Sequence, residues 1–232
     1  MVATERAREL KLKKIKVPTS LSQAAYEALK ESLMRMELSK LPNDGKLDER
    51  ELAQRLGISR TPLREAIHRL VSEGFLRVVP RKGIYVVRRS KKEIVEILLV
   101  RAALEGMAAR LSTRHLTDSD IQKMRDLFAP FDPATVKDQS LRYSDANIRF
   151  HEMVINLSQC EKLIALASNL FDQMRWVRFR AAAFYDRHPT TLLEHRSIID
   201  ALEARDPDAA ERRMRSHIEG LANYVEEHVE IP

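Results

Sequence analysis

Cysteine, glycine and long apolar runs are all scarce in this chain. Its one cysteine, Cys160, excludes an intrachain disulfide and fits a reducing compartment. Three residues before Leu163, Cys160 reads as a small core residue rather than a nucleophile. The apolar runs fall far short of the roughly 20 residues that a membrane-spanning helix needs. No charged-then-apolar leader opens the sequence either, so the expectation is a soluble cytoplasmic protein with no membrane partner. Six Gly and nine Pro among 232 residues, with 44% apolar content, argue for folded structure rather than disorder. No internal repeat is visible, and the only low-complexity stretch is a basic arm at residues 1–16.

Charge is unevenly placed. Residues 1–90 hold 20 Lys+Arg against 11 Asp+Glu, whereas residues 91–232 hold 20 against 23. The first part therefore carries the surplus that attraction to phosphates requires, and the second has no such electrostatic reason to touch nucleic acid.

The basic part contains its own explanation, in the stretch LDERELAQRLGISRTPLREAIHRLVSEGFLRVVPRKGIYVV from Leu47 to Val87. Leu47, Leu52, Ala53 and Leu56 recur at helical spacing, Gly57 ends the run, and Asp48 with Glu51 resembles a capping box. A second helix starts with Ser59 as N-cap and Pro62 in the first turn, where a missing N–H costs little. Its apolar stripe is Leu63, Ala66, Ile67, Leu70 and Val71. The other face shows Arg60, Thr61, Arg64 and His68, donors suited to phosphates and base edges. Ser22 to Leu38 reads as a helix packing behind these two, and Leu41 to Gly45 as a turn. Phe75–Pro80 and Ile84–Arg89 flank the basic tip Arg81-Lys82-Gly83, a β-hairpin wing in which Gly83 allows close backbone approach. The pattern is a winged helix-turn-helix, expected to place one helix in a DNA major groove.

After Ser90 strand patterns vanish. Lys91–Ser112, Asp118–Ala129, Leu141–Leu157, Glu161–Tyr185, Thr190–Ala204 and Pro207–His228 each read as helices, with Asp118 and Asp206 as caps. The expected fold is mainly α: three helices and a two-stranded wing, then an all-α antiparallel bundle of about six helices. The expected divisions are the arm at 1–16, a DNA-binding domain at 17–89 and a helical domain at 90–232. Within the bundle, His151 follows Asn147 by one turn, and His195 and His217 lie on the last two helices. Three histidines with an oxygen ligand would suit zinc, nickel or manganese, but on spacing alone isolated histidines are more often surface or satisfied core residues. Arg101 falls inside the apolar stripe of Lys91–Ser112, where it needs a partner; Glu105, four residues on, is one.

Leu47–Val87 resembles the winged helix-turn-helix of the GntR family of bacterial transcription regulators. NIRFHEMVINLSQCEKL with LLEHRSIIDALEARDPDAAERRMRSHI is similar to the FCD ligand-binding domain of one GntR branch. The resemblance implies DNA contacts by Arg50, Ser59, Arg60, Thr61, Arg64 and Gly83. For Arg50 it is the whole argument, because the residue alone reads as a solvated surface arginine. It also implies a divalent metal at Asn147, His151, His195 and His217, with Asn147 where the family pattern often has Asp. An organic-acid effector would then meet Arg101 as a bidentate clamp, with Arg178 as a second cation. The function so implied is a homodimeric, ligand-responsive regulator on a palindromic operator, and not an enzyme. The alternative is a metal-dependent enzyme with an accessory DNA-binding domain, against which no carboxylate stands at a recognisable general-base spacing.

Overall fold

A computed structural model describes residues 20–35, 45–178 and 186–230, the side chains of 34–35 and 175–178 excepted. The expected basic arm, most of the turn before Gly45, the Arg178 side chain and the far end of the helix expected to reach Tyr185 lie outside the described residues.

Among the described residues there are nine α-helices, three in the first part and six in the second. Helices α1 (Leu21–Arg35), α2 (Glu49–Leu56) and α3 (Arg60–Ser72) pack around a small core of Tyr26, Leu29, Leu63, Leu70 and Phe75. Asp48 caps α2 as expected, accepting from the N–H groups of Arg50 and Glu51. The reciprocal half of the box is replaced by a Glu51–Arg55 pair at 3.6 Å. Gly57 ends α2 at φ 65°, a left-handed conformation that glycine adopts without strain. Ser59 holds the N-cap position of α3, but its side chain makes no capping hydrogen bond.

The wing pairs β2 (Leu76–Val79) with β3 (Gly83–Val86) in antiparallel register, Leu76 opposite Val86 and Val79 opposite Gly83. A third strand was not expected. β1 (Lys46–Leu47) joins the free edge of β3, giving the order β1-β3-β2. Two residues are too short a run to show alternation in sequence, and the pairing protects an otherwise open edge.

The second part is a bundle of α4 (Lys91–Ser112), α5 (Asp118–Phe128), α6 (Ser140–Leu157), α7 (Glu161–Arg178), α8 (His188–Glu203) and α9 (Pro207–His228). Ser90 and Glu93 form a reciprocal capping box at the start of α4. For α5 the cap is Thr117 rather than Asp118. Thr117 and Asp120 satisfy each other's backbone N–H in a capping box one residue earlier, and Asp118 turns outward to Arg205. The core holds Leu98, Phe150, Val154, Leu192, Ile198 and Met214. The longest helices, α4 and α9, approach closely at the glycine of α4. A Cβ at Gly106 would sit 3.3 Å from the Glu211 carbonyl oxygen and 3.4 Å from the Arg215 Cβ.

No helix among the described residues is long and apolar enough to cross a membrane. The close α4–α9 approach yields a test. Gly106→Val should force the two helices apart and lower unfolding stability by about 1–3 kcal/mol in urea titration. An unchanged midpoint would mean that α9 does not depend on that glycine for its seat.

Candidate functional site

Two surfaces collect the residues singled out from the sequence. The first lies on the winged part. Arg60, Thr61 and Arg64 are exposed along the first turns of α3, with His68 one turn further, and Arg50 is exposed on α2. Arg64, His68, Val78, Arg81 and Lys82 line a groove between α3 and the wing. Sequence reasoning missed Glu49, which lies in this groove and accepts a hydrogen bond from Arg64 Nε at 2.6 Å. That carboxylate holds the Arg64 guanidinium over the groove. Gly83 has φ 122° and lies so near Lys46 that a Cβ would come 3.1 Å from the Lys46 Cε. Its contribution is therefore the bend of the hairpin, while the exposed cations at the tip are Arg81 and Lys82.

The second surface is internal. His151 on α6, His195 on α8 and His217 on α9 are all buried, and one ligand atom from each lies within 4.8 Å of the others. A distinct partner occupies each Nδ1. His151 Nδ1 meets Glu105 Oε2 at 2.5 Å, His217 Nδ1 meets Glu194 Oε2 at 2.7 Å, and His195 Nδ1 meets the Tyr143 hydroxyl at 3.0 Å. A carboxylate can only accept, so His151 and His217 carry their protons on Nδ1 and turn bare Nε2 lone pairs inward. Those two Nε2 atoms stand 3.3 Å apart. Burial pushes the pKa of both imidazoles down, and Glu105 and Glu194 only partly offset it, so both rings are held neutral. Facing lone pairs at that distance repel unless a cation lies between them, and a divalent metal fits this donor set.

Arg101 and Asn147 border the same space. Arg101 is 1% exposed, and its Nε and one Nη both reach Glu105 Oε1 at 2.6 Å. Its guanidinium carbon lies over the Phe171 ring, 4.7 Å from the centroid, and the remaining Nη has no hydrogen-bond partner. The ion pair with Glu105 is therefore real, and one donor is still left over. Asn147 is half-buried one turn before His151, and Asp145 is exposed. The cavity has a volume of about 60 Å³, bordered by Arg101, Asn147, His151, Met174, Arg187 and His217. Burial pushes Glu105 up, but Arg101 and His151 beside it more than reverse this and leave its carboxyl well below the usual range.

Four residues that complete this arrangement were not legible as site residues. Glu105 was expected only as the partner of Arg101, not of His151. Glu194, Tyr143 and Arg187 gave no local signal, since their contacts span 7 to 52 residues. Arg187 forks onto Glu194 and donates to the carbonyls of His217 and Gly220. A Cβ at Gly220 would lie 2.5 Å from that guanidinium, which would have to move from its present place.

Glu105→Gln tests the internal chain. It leaves Arg101 buried without a counter-charge and should cost about 3–5 kcal/mol of stability at neutral pH. A depressed folded pKa means that the Glu105 contribution is present above the ordinary carboxyl range and is lost as pH falls through the folded value. Wild type and variant should therefore converge in acid, as read by chemical denaturation at several pH values. A gap independent of pH would place the cost elsewhere.

Known proteins share both parts of the chain. Residues 21–86 match the family model described as bacterial regulatory proteins, gntR family, and residues 96–220 match the FCD domain. The HTH-type transcriptional repressor RspR of Escherichia coli is 26% identical over 179 residues, covering 77% of this chain and 78% of that protein. The HTH-type transcriptional regulator McbR, also of Escherichia coli, is 29% identical over 181 residues, covering 75% and 80%. Among solved structures, E. coli McbR/YncC superposes with a TM-score of 0.68 at 22% identity, over 91% of this chain and 99% of that one. A GntR regulator from Rhodococcus gives 0.66 at 19%, over 88% and 96%. At these identities the structural likeness speaks for the fold alone.

Proposed function

The chain belongs to the GntR family of bacterial regulatory proteins, with an FCD domain behind its winged helix-turn-helix, and from that premise we propose a regulator that responds to a small carboxylate. It is a DNA-binding transcription regulator by family. The finer reading is ours: a DNA-binding domain to residue 89, a ligand-binding domain from residue 90, and an operator affinity set by what the bundle holds. The observation that carries it is the convergence of three buried histidines, each oriented by its own Nδ1 partner, beside an arginine with an unused donor.

On this reading Arg64 and Arg60 meet base edges and phosphates in the major groove, Thr61 and Ser59 donate to phosphates, Arg50 contacts the backbone, and Gly83 shapes the wing. Two copies would read a palindromic operator, one half-site each. Leu99 and Val100 on α4 are 50% and 51% exposed, and Met107 follows on the same helix at 39%. A second copy of the chain is the occupant we assign to that apolar stripe. The protein would act in the cytoplasm, where a bacterial operator is found.

In the bundle, His151, His195 and His217 would hold a divalent ion such as zinc, nickel or manganese, with the Asn147 amide oxygen as a fourth, neutral ligand. Bound there, the ion supplies positive charge for a carboxylate oxygen. Arg101 orients the same carboxylate through its free Nη, while Glu105 fixes the guanidinium from the other side. Arg178 remains a proposed second cation. Glu105 and Glu194 are engaged by imidazoles and guanidinium groups, and no observation favours the metal-dependent enzyme.

Two measurements test this. Tag-free protein should contain about one divalent ion per chain by elemental analysis, falling to none in His151→Ala/His217→Ala. Protein that holds no ion and gains no thermal stability from zinc or small carboxylates would remove the ligand-binding reading. Arg64→Ala should weaken operator binding by about 1–3 kcal/mol in anisotropy titrations while the melting temperature stays unchanged. Wild-type affinity in that variant would remove the assigned helix face.

A further inference from the structure

α7 stands between the internal cavity and the end of the DNA-reading helix, and it touches both. One face carries Phe171 and Met174. The Phe171 ring lies 4.7 Å beneath the Arg101 guanidinium and 5.8 Å from the His151 ring, and Met174 borders the cavity. Positions 169, 172 and 173 fall on the opposite face, toward the winged part. Asp172 pairs with Lys30 of α1 at 2.7 Å. The Gln173 amide donates to the Glu73 carbonyl at 3.0 Å and is itself held by Asn169 at 2.7 Å.

Glu73 is the C-cap of α3, so its carbonyl is one of the backbone acceptors that a helix end leaves unmet. A side chain from the other half of the protein therefore finishes the recognition helix. The neighbouring Gly74 carbonyl is met from within the winged half, by Arg89 at 2.9 Å. Gly74 has φ 80°, and a Cβ there would lie 2.9 Å from the Arg89 guanidinium and 3.5 Å from Gln173 Nε2. The left-handed backbone favours glycine here, and its lack of a Cβ leaves both side chains where they are. The Glu73 carboxylate gathers the rest of the joint, accepting from the Tyr26 hydroxyl at 2.7 Å and from Lys30 at 3.2 Å, with Arg69 at 3.2 Å.

We propose that α7 is the coupling element of this regulator, with Asp172 and Gln173 as the positioning residues that pass the state of the cavity to the recognition helix. The inference rests on the ligand-responsive reading given above. Any acid that engages the free Nη of Arg101 acts on a guanidinium that sits over the Phe171 ring. Close-packed side chains pass such a shift on to their neighbours, and a packed helix moves largely as a unit. Turning α7 about its axis moves Gln173 against the Glu73 carbonyl and Asp172 against Lys30. The two arrangements of the joint then differ in how the recognition helix is held, which is the differential contact a ligand needs in order to shift operator affinity.

The test uses full-length protein, stripped with chelator, and a duplex that the wild-type protein selects from a random pool. Zinc and acetate serve as the probes. Wild type should change its operator affinity by about ten-fold when zinc and acetate are added. Asp172→Asn/Gln173→Met removes the charge and the donor with little change in volume. It should bind zinc within about two-fold of wild type by calorimetry, yet lose the change in operator affinity. Asp172→Glu, which keeps the ion pair, should retain it. A double variant that responds as wild type does overturns the role of α7 and leaves the ligand-responsive reading standing. A wild-type protein that takes up zinc but changes operator affinity with neither probe removes that reading, and this inference with it.

Discussion

The internal arrangement depends on one carboxylate. Glu105 divides its two oxygens, giving Oε1 to Arg101 and Oε2 to His151. A buried guanidinium and a buried carboxylate each pay heavily for leaving water, and their attraction repays that only when geometry is good and the remaining valences are met. An apolar pair of equal volume would stabilise the bundle at least as well. What apolar side chains cannot do is fix the tautomer of His151, direct its bare Nε2 inward, and leave one guanidinium donor unused at the cavity. The pair makes sense as the foundation of a site rather than of a fold.

The same dependence recurs on the far wall with different parts. Glu194 holds His217 by Nδ1, and Arg187 holds Glu194. Both carboxylate-imidazole pairs therefore carry an arginine behind them. Two glycines set how near the walls can come. Gly106, next to Glu105, brings α4 against α9, the helix that bears His217, and Gly220 leaves room for the Arg187 guanidinium. The histidines meet because small residues let the helices meet, and they point correctly because buried acids orient them.

Much of this was legible because it is local. Gly57, Pro62 and Asp206 punctuate the helices through backbone rules acting within a turn, and the apolar spacing fixes which faces turn inward. The same rules misplaced the cap of α5, where a Thr-x-x-Asp box one residue earlier outcompetes Asp118. β1 was not legible, since two residues make no pattern and its partner lies 37 or more residues away. The three histidines could be named, but only the resemblance brought them together. Glu194 and Tyr143 were missed because a residue that orients a histidine need share neither its helix nor its spacing. The joint around Glu73 was missed for a further reason: a glutamate at the end of a helix is usually solvated, and nothing nearby in sequence marks Lys30, Asp172 or Gln173 as its surroundings.

Charge balance in the cavity bears on what could fill it. Arg101 offsets Glu105, Arg187 offsets Glu194, and burial keeps His151 and His217 neutral. These groups therefore sum to no net charge before any ligand arrives. Where the family pattern often supplies an aspartate, Asn147 supplies a neutral amide oxygen. On the proposed reading a divalent ion would then enter with both of its charges uncompensated in a buried space, which is costly. A carboxylate entering alone would meet the leftover donor of Arg101 but no net positive charge. Each lowers the cost of the other, and linkage requires the effect to be equal in both directions. An aspartate at that position would itself compensate one of the ion's two charges. With asparagine, on the proposed reading, that charge is left for the acid to supply, and ion and acid would each favour the other's binding.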